Sequence, residues 1–394
     1  VARATQLTRH PAAEPFRAEI PDEVLADLRE RLARIRWPKP ARGGDWAMGT
    51  SLPFMRRVVA RWLDGYDWRA WEARFNSFEQ YRIGVGGVRI HALVERGSGP
   101  APMPIVLTHG WPGSPVELLK MVEPLAHPER FGGTVDEAFT VVIPSLPGCG
   151  FSDAPTEPIS PREVGRLWAE MMGEVFGFEG YMAHGGDWGA VITSWMAVDR
   201  PRGLLAAHLN TAVLAAPSTF VSDPPTPEEG AHVERLTTLP EEEKAYQLVH
   251  GYRPQSLAFA VHDSPVGLAG WILEKFHNWT VGKAEVDPPF DLDDLITNVM
   301  LYWLGDAQAV SWMYRYMVDW SAFTLAEGEY ASVPCGFCLF PDDIAPVPPE
   351  AFARRSYNVA HYRLEPHGGH FPGLEHPREL VDDIRRFRTG LGLG

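Results

Sequence analysis

The 394-residue chain predicts an α/β fold with a mostly parallel central sheet, an inserted helical lid and an additional N-terminal segment. Three observations carry this expectation. From Pro102 to about residue 213, short apolar runs alternate with helical stretches, the pattern of strands buried on both faces. Between 214 and about 328 those runs give way to prolines, acidic clusters and aromatic-rich helical stretches, and they resume at 332. The length also exceeds the roughly 250 to 300 residues at which a single core stops growing. The expected divisions are 1–80 as the N-terminal segment, 81–213 as the first part of the sheet domain, 214–328 as the lid, and 329–394 as the second part.

The elements follow in order. Val24, Leu25, Leu28, Leu32 and Ile35 recur at helical spacing, which predicts an amphipathic helix over 21–36 with Pro21 in its first turn. A stretch rich in Trp, Gly and Pro follows to about residue 80. Tyr81 to Glu95 alternates around Gly86-Gly87 as a hairpin would. Ile105-Val106-Leu107, Thr140 to Ile143 and Tyr181-Met182-Ala183 are short buried strands, and 332–340 another. Helices are expected at 349–356 and, amphipathic, from Arg378 to Arg388.

A hydrophobic share of 45% with 22% charged residues is that of an ordinary globular chain. The net charge of −15 argues against nucleic acid and anionic membrane, which recruit Lys and Arg. Arg3, Arg9, Glu14, Arg17, Glu19, Asp22 and Glu23 leave no apolar leader in the opening stretch, and three cysteines make no disulfide framework. A cytoplasmic protein is expected. Cys335 and Cys338 have CxxC spacing but lie in an apolar run with no second ligand pair nearby, so they read as core thiols.

The chemistry starts at Tyr181-Met-Ala-His-Gly-Gly-Asp-Trp-Gly189, which runs from strand to helix. Glycines two before and two after Asp187 permit the sharp turn that lifts one side chain off the sheet, as in the GxSxG elbow. The lifted residue here is a carboxylate, which attacks saturated carbon to give an alkyl ester where serine would attack an acyl group. Alone, the motif also admits the blander reading of a Gly-rich turn whose Asp caps a helix. One α/β unit earlier, Thr108-His109-Gly110-Trp111-Pro112-Gly113-Ser114 follows a strand. The backbone amides of Trp111 and Trp188 are therefore candidates for an oxyanion hole.

The general base belongs on a glycine loop near the C-terminus, and His370 in His367-Gly-Gly-His370-Phe371 fits; His367 and His376 read as turn and surface residues. The orienting acid should follow the strand ending at Phe340, where Asp343 is preferred and Asp342 is the alternative. Asp343 would hold the imidazole in the needed tautomer while His370 activates water against the ester.

These motifs resemble those of the microsomal and juvenile-hormone type of epoxide hydrolases, members of the α/β-hydrolase fold. The resemblance spans nearly the whole chain, from Pro15-Phe-Arg-Ala-Glu-Ile-Pro-Asp22 and Arg36-Trp-Pro38 through Asp263-Ser-Pro-Val-Gly-Leu-Ala269, Trp271 to Phe276 and Leu295 to Trp303. It implies that the acid sits two residues after Pro341, at Asp343. It also implies two lid tyrosines that protonate the epoxide oxygen, a sensible task for phenols in an apolar pocket. The first falls on Tyr246. For the second, the resemblance favours Tyr316, because Ser311 and Met313 then align with the family although the spacing from Trp303 is off by about a residue, and Tyr314 is the alternative. The N-terminal segment is implied to wrap the catalytic domain and lid.

Lid aromatics, Trp271 and Trp303 foremost with Phe276, Trp279 and Trp312, point to an apolar, aryl-bearing epoxide as the small-molecule partner. No cofactor and no metal is expected, and a homodimer is the assembly considered. Haloalkane dehalogenases share the Asp-Trp elbow but need indole N–H groups for halide and no acid, so Tyr246 favours the epoxide. A catalytically dead binding fold would be expected to have lost one of nucleophile, acid or base, and all three are in place.

Overall fold

The computed structural model describes residues 10–40, 46–238, 240–280 and 287–393. Arg3 and Arg9, part of the charged opening, lie outside the described residues. Among the described residues nine strands form one sheet: β1 (Ala13–Pro15), β2 (Glu79–Val85), β3 (Val88–Glu95), β4 (Met103–Thr108), β5 (Phe139–Pro144), β6 (Tyr181–Gly185), β7 (Leu204–Leu209), β8 (Ala331–Leu339) and β9 (Tyr357–Leu364). Their order is β1-β2-β3-β5-β4-β6-β7-β8-β9. The first three pair antiparallel, and β5 through β9 run parallel. Every residue of β5 is buried, which is why it reads as an unbroken apolar run. The β2–β3 hairpin turns on Gly86 and Gly87, at φ 53° and 82°, the left-handed pair that a tight hairpin demands.

The chain steps from β4 outward to β5 and then crosses to β6 on the other side of β4. That reversal opens a crevice at the carboxyl ends of β4 and β6, where Thr108 and Gly185 lie side by side in register. Both chemical motifs of the sequence begin there.

Ahead of β2 lie the helices α1 (Asp22–Ala33), α2 (Leu52–Leu63) and α3 (Trp68–Phe75). The expected helix at 21–36 is shorter, because Pro21 is its cap and Arg34 ends it. Within the Trp-rich stretch up to residue 80, Leu52–Leu63 and Trp68–Phe75 are helical. Ser51 and Asp67 cap α2 and α3 with their side chains, and Phe54, Met55, Val58, Val59 and Trp62 form the buried stripe of α2. Around the sheet lie α4 (Pro115–Ala126), α5 (Pro161–Glu170) and α6 (Trp188–Asp199), the last packed on β4, β6, β7 and β8.

Between β7 and β8 the chain inserts the lid: α7 (Thr219–Ser222), α8 (Pro227–Thr237), α9 (Glu241–Tyr252), α10 (Pro254–Val261), α11 (Pro265–Asn278), α12 (Leu292–Leu304) and α13 (Arg315–Val318). A bridge between Ala215 and Thr324 closes its base. Then come α14 (Glu350–Arg354), α15 (Pro372–Glu375) and α16 (Pro377–Gly390). The N-terminal segment straps the lid: Arg31 reaches Asp263, Arg61 makes two bonds to Asp293, and Tyr66 bonds Thr297.

On the sheet's far side, buried Asp383 of α16 accepts from His208 Nε2 at 3.1 Å, His361 Nε2 at 3.0 Å and Arg386 at 3.0 Å. Burial opposes its ionisation, but the His208 and His361 hydrogen bonds hold its carboxyl well below the usual range. Removing it would strand those partners. Asp383→Ala should lower unfolding free energy by about 3–5 kcal/mol, measured by urea denaturation; a loss under about 1 kcal/mol would mean that the network contributes little.

Candidate active site

Asp187 stands between β6 and α6 at φ 50° and ψ −128°, a strained turn for a residue with a side chain. The glycines around it are there for space. A Cβ on Gly185 would lie 2.1 Å from Gly189 O, one on Gly189 2.0 Å from Thr108 O, and one on Gly110 2.2 Å from Asp187 Oδ1. The turn therefore packs directly onto the β4 loop. Trp111 N–H donates to Asp187 Oδ1 at 2.9 Å. The Trp188 amide is the first of α6, a position that has no partner within the helix.

The β4 loop is itself held from two sides. His109 accepts from Leu146 N through Nε2 at 3.1 Å and uses Nδ1 on Gly110 O at 2.9 Å. Burial lowers its pKa to about 4, so it is a neutral clamp. From the lid, Asn298 donates to Pro112 O at 2.8 Å and Tyr302 to Gly113 O at 2.6 Å.

His370 lies across the crevice. Its Nδ1 is 2.7 Å from Asp343 Oδ1, and its Nε2 is 3.3 Å from Asp187 Oδ2 but makes no hydrogen bond. That nitrogen is buried and available. Asp342 instead braces the loop, accepting from Gly368 N at 3.2 Å. His367 is exposed, and His376 stacks on Phe340. Burial alone would lower the pKa of His370, but Asp343 and Asp187 outweigh it and hold the imidazole well above its usual value.

Aromatic rings roof the carboxylate. Tyr246 of α9 stacks on Trp111 at 5.2 Å, and Tyr314 meets Trp111 edge-on at 5.8 Å and Trp188 at 4.9 Å. The two phenol rings are 5.6 Å apart. Both hydroxyls are pushed up in pKa: burial leads in each case and the Asp187 charge adds to it. Tyr316, the second tyrosine that the resemblance favours, is placed elsewhere. Its hydroxyl donates to Pro158 O at 3.0 Å, and the residue touches none of these rings. A turn at Ala309–Tyr314 ahead of α13 buries Tyr314 and directs its neighbour outward, a detail that spacing cannot resolve. Trp271 reaches the wall indirectly, donating to His250 Nε2 at 2.9 Å. Trp303 does not reach it: its ring packs under Arg31 of the N-terminal strap. Trp279 lies 4.7 Å from His370 edge-on, and its carbonyl accepts from His370 N.

The family description "Epoxide hydrolase N terminus" matches residues 13–118, and "Alpha/beta hydrolase family" matches 105–383. The chain is 36% identical over 94% of its length to a Stigmatella aurantiaca protein assigned by name as an epoxide hydrolase, covering 83% of that protein. It is 31% identical over 95% of its length to epoxide hydrolase 1 of Oryctolagus cuniculus, covering 88% of it. The chain belongs to the epoxide hydrolases of the α/β-hydrolase family. Among solved structures, the Aspergillus niger epoxide hydrolase superposes with a TM-score of 0.82 at 29% identity, covering 98% of this chain and 99% of that one. No helix among the described residues is long and apolar enough to cross a membrane.

Two carboxyls of this epoxide hydrolase site drew little notice in the sequence. Glu375 Oε2 accepts from Gly369 N at 3.1 Å and its Oε1 from Phe371 N at 2.9 Å, which fixes the loop on either side of His370. Glu117 of α4 is buried in a gap that only glycine at 113 leaves open. Burial raises its pKa to about 8, so it adds no further negative charge at neutral pH. Glu117 could have been found from its place three residues after Ser114 in the first turn of α4. Elsewhere, Cys338, Glu365 and Asp383 bring ligand atoms within 4.8 Å of one another. Arg363, Arg386, His208 and His361 already answer both carboxylates, so the group has no charge left over for a cation. Cys335 and Cys338 are buried free thiols in β8.

Glu375→Ala would free two buried amides and loosen His370. It should cost about 1–3 kcal/mol in stability and slow epoxide turnover about tenfold or more, read from melting and steady-state rates. Turnover unchanged in a destabilised variant would mean that His370 is positioned without it.

Proposed function

We propose that this epoxide hydrolase converts an apolar, aryl-bearing epoxide and water to a vicinal diol through a covalent ester on Asp187. One observation carries the reading: the Asp187 carboxylate has one oxygen on the Trp111 amide and the other 3.3 Å from an unengaged His370 Nε2. Oδ2 is then the free nucleophile. It attacks a ring carbon; the C–O bond breaks with its electron pair to the epoxide oxygen, which takes a proton from a lid tyrosine. The aromatic roof of Trp111, Tyr246 and Tyr314 supports an aryl substituent and supplies two buried phenols that stay protonated until used.

In the second step His370 Nε2 takes a proton from water as its oxygen attacks the ester carbonyl. The Trp111 amide stabilises the charge that develops on Oδ1. Cleavage of the bond between the Asp187 carbonyl carbon and Oδ2 releases the diol, which receives one water proton by way of His370. The other restores the tyrosine. The charge balance suits this order. While Asp187 is ionised it helps hold His370 protonated; once esterified it loses its charge, and the pKa of His370 falls toward the range of a working base.

His370→Gln should stop the cycle after ring opening, giving an intact protein heavier by the mass of the substrate. No adduct with any of several turned-over epoxides, styrene oxide among them, would refute the two-step route. Removing the Asp343 charge lowers the pKa of His370. Asp343→Asn should therefore shift the acid limb of ester hydrolysis to lower pH by about a unit or more while cutting the plateau roughly a thousandfold; an unmoved limb would contradict the pairing. Tyr314→Phe should slow ester formation by about a hundredfold, with Tyr316→Phe within about twofold of the parent. The reverse ranking would assign the acid to Tyr316.

A further inference from the structure

Lys275 of α11 is only 2% exposed, an unusual setting for an ammonium, which is costly to bury unless its charge is answered. Glu274 answers it once, at 2.6 Å. The remaining contacts are aromatic: Nζ lies 4.5 Å from the ring centroid of Tyr246 and 5.8 Å from that of Trp279. The negative face of a ring attracts a cation, so Tyr246 lies between two influences, with the indole of Trp111 stacked along it and an ammonium over it. Asp187 and Glu243 are the anions acting on the same phenol. Among the described residues, Lys275 is the cation that contacts its ring.

We propose that Lys275 is a positioning residue for ring opening that stabilises the phenolate formed on Tyr246 as its proton leaves. The inference rests on the reading of Tyr246 as an acid. As the Asp187 Oδ2–carbon bond forms and the epoxide C–O bond breaks, the proton moves from Tyr246 to the epoxide oxygen and the O–H electron pair stays on the phenol oxygen. Lys275 transfers nothing. Burial and the Asp187 carboxylate both make the Tyr246 proton hard to lose, and a fixed cation 4.5 Å from the ring opposes them where water cannot. The same ammonium, after burial, helps hold the neighbouring imidazole of His250 neutral, with a pKa lowered to about 3. His250 therefore does not compete as a proton donor. A lysine that merely balanced the charge of its neighbour Glu274 would have no reason to favour one chemical step.

Single-turnover rapid-quench kinetics on the full chain, with styrene oxide as substrate, separates the steps. Lys275→Met should slow ester formation about tenfold or more and leave ester hydrolysis unchanged, and Lys275→Arg should recover most of the loss. In a Tyr246→Phe background, Lys275→Met should cost less than about twofold further, because the charge it serves no longer forms. Should the Met variant not fold, Lys275→Gln is measured in the same way, with melting recorded for each. Equal slowing of both steps, or full additivity with Tyr246→Phe, would overturn the inference. Normal ester formation in Tyr246→Phe alone would instead overturn the reading of Tyr246, whereas a slow Tyr246→Phe beside an unaffected Lys275→Met would remove only the role of Lys275.

Discussion

Around Asp187 the backbone of β6 turns at φ 50° and ψ −128°, a conformation that costs about 1–3 kcal/mol and that only close packing can maintain. Gly185, Gly189 and Gly110 allow the elbow to press against the β4 loop with no side chain between. The same approach brings Trp111 N–H to 2.9 Å from Asp187 Oδ1. Strain and electrostatics are thus one arrangement: the turn that exposes the carboxylate also delivers it to its amide donor. Any widening of the turn would lose both.

The rest of the molecule holds that arrangement in place. Asn298 and Tyr302 of α12 bind the carbonyls of Pro112 and Gly113, so the lid grips the loop that carries Trp111. Tyr66, Arg61 and Arg31 of the N-terminal segment in turn bind the lid at Thr297, Asp293 and Asp263. A continuous set of contacts leads from the outer strap through α12 to the amide on Asp187. On the other side, Glu375 and Asp342 pin the glycine loop that carries His370. The groups of the proposed mechanism come from the ends of β4, β6 and β8, the loop after β9 and the lid, and their geometry is set by these supports rather than by their neighbours in sequence.

Much of this was legible from residue types. Buried parallel strands betray themselves as short apolar runs, and Gly-x-Asp-x-Gly after such a run becomes specific once His-Gly-Trp-Pro-Gly precedes it by one α/β unit. The helices α2 and α3 were hidden because their Trp and Pro content obscured the stripe from Phe54 to Trp62, although Ser51 and Asp67 mark their starts. Tyr314 and Tyr316 differ by two positions, and which one faces the crevice is decided by the tight turn at Ala309–Tyr314, a tertiary outcome. Trp303 misled for a related reason: half-buried indoles look alike in sequence, and this one covers an arginine of the strap. Lys275 gave no signal because a lone charged residue reads as surface until its burial is seen, and Glu117 only the faint one of its place in the first turn of α4.

The central claim is that the carboxylate of Asp187, and not a water molecule, makes the first bond to carbon. A single turnover with excess enzyme in heavy-oxygen water tests it most directly. Attack by Asp187 predicts a diol free of label after one turnover, with one heavy oxygen in the peptide containing Asp187, because the diol takes Oδ2 and the carboxylate is rebuilt from water. A labelled diol from that first turnover, with the Asp187 peptide unlabelled, would contradict the account.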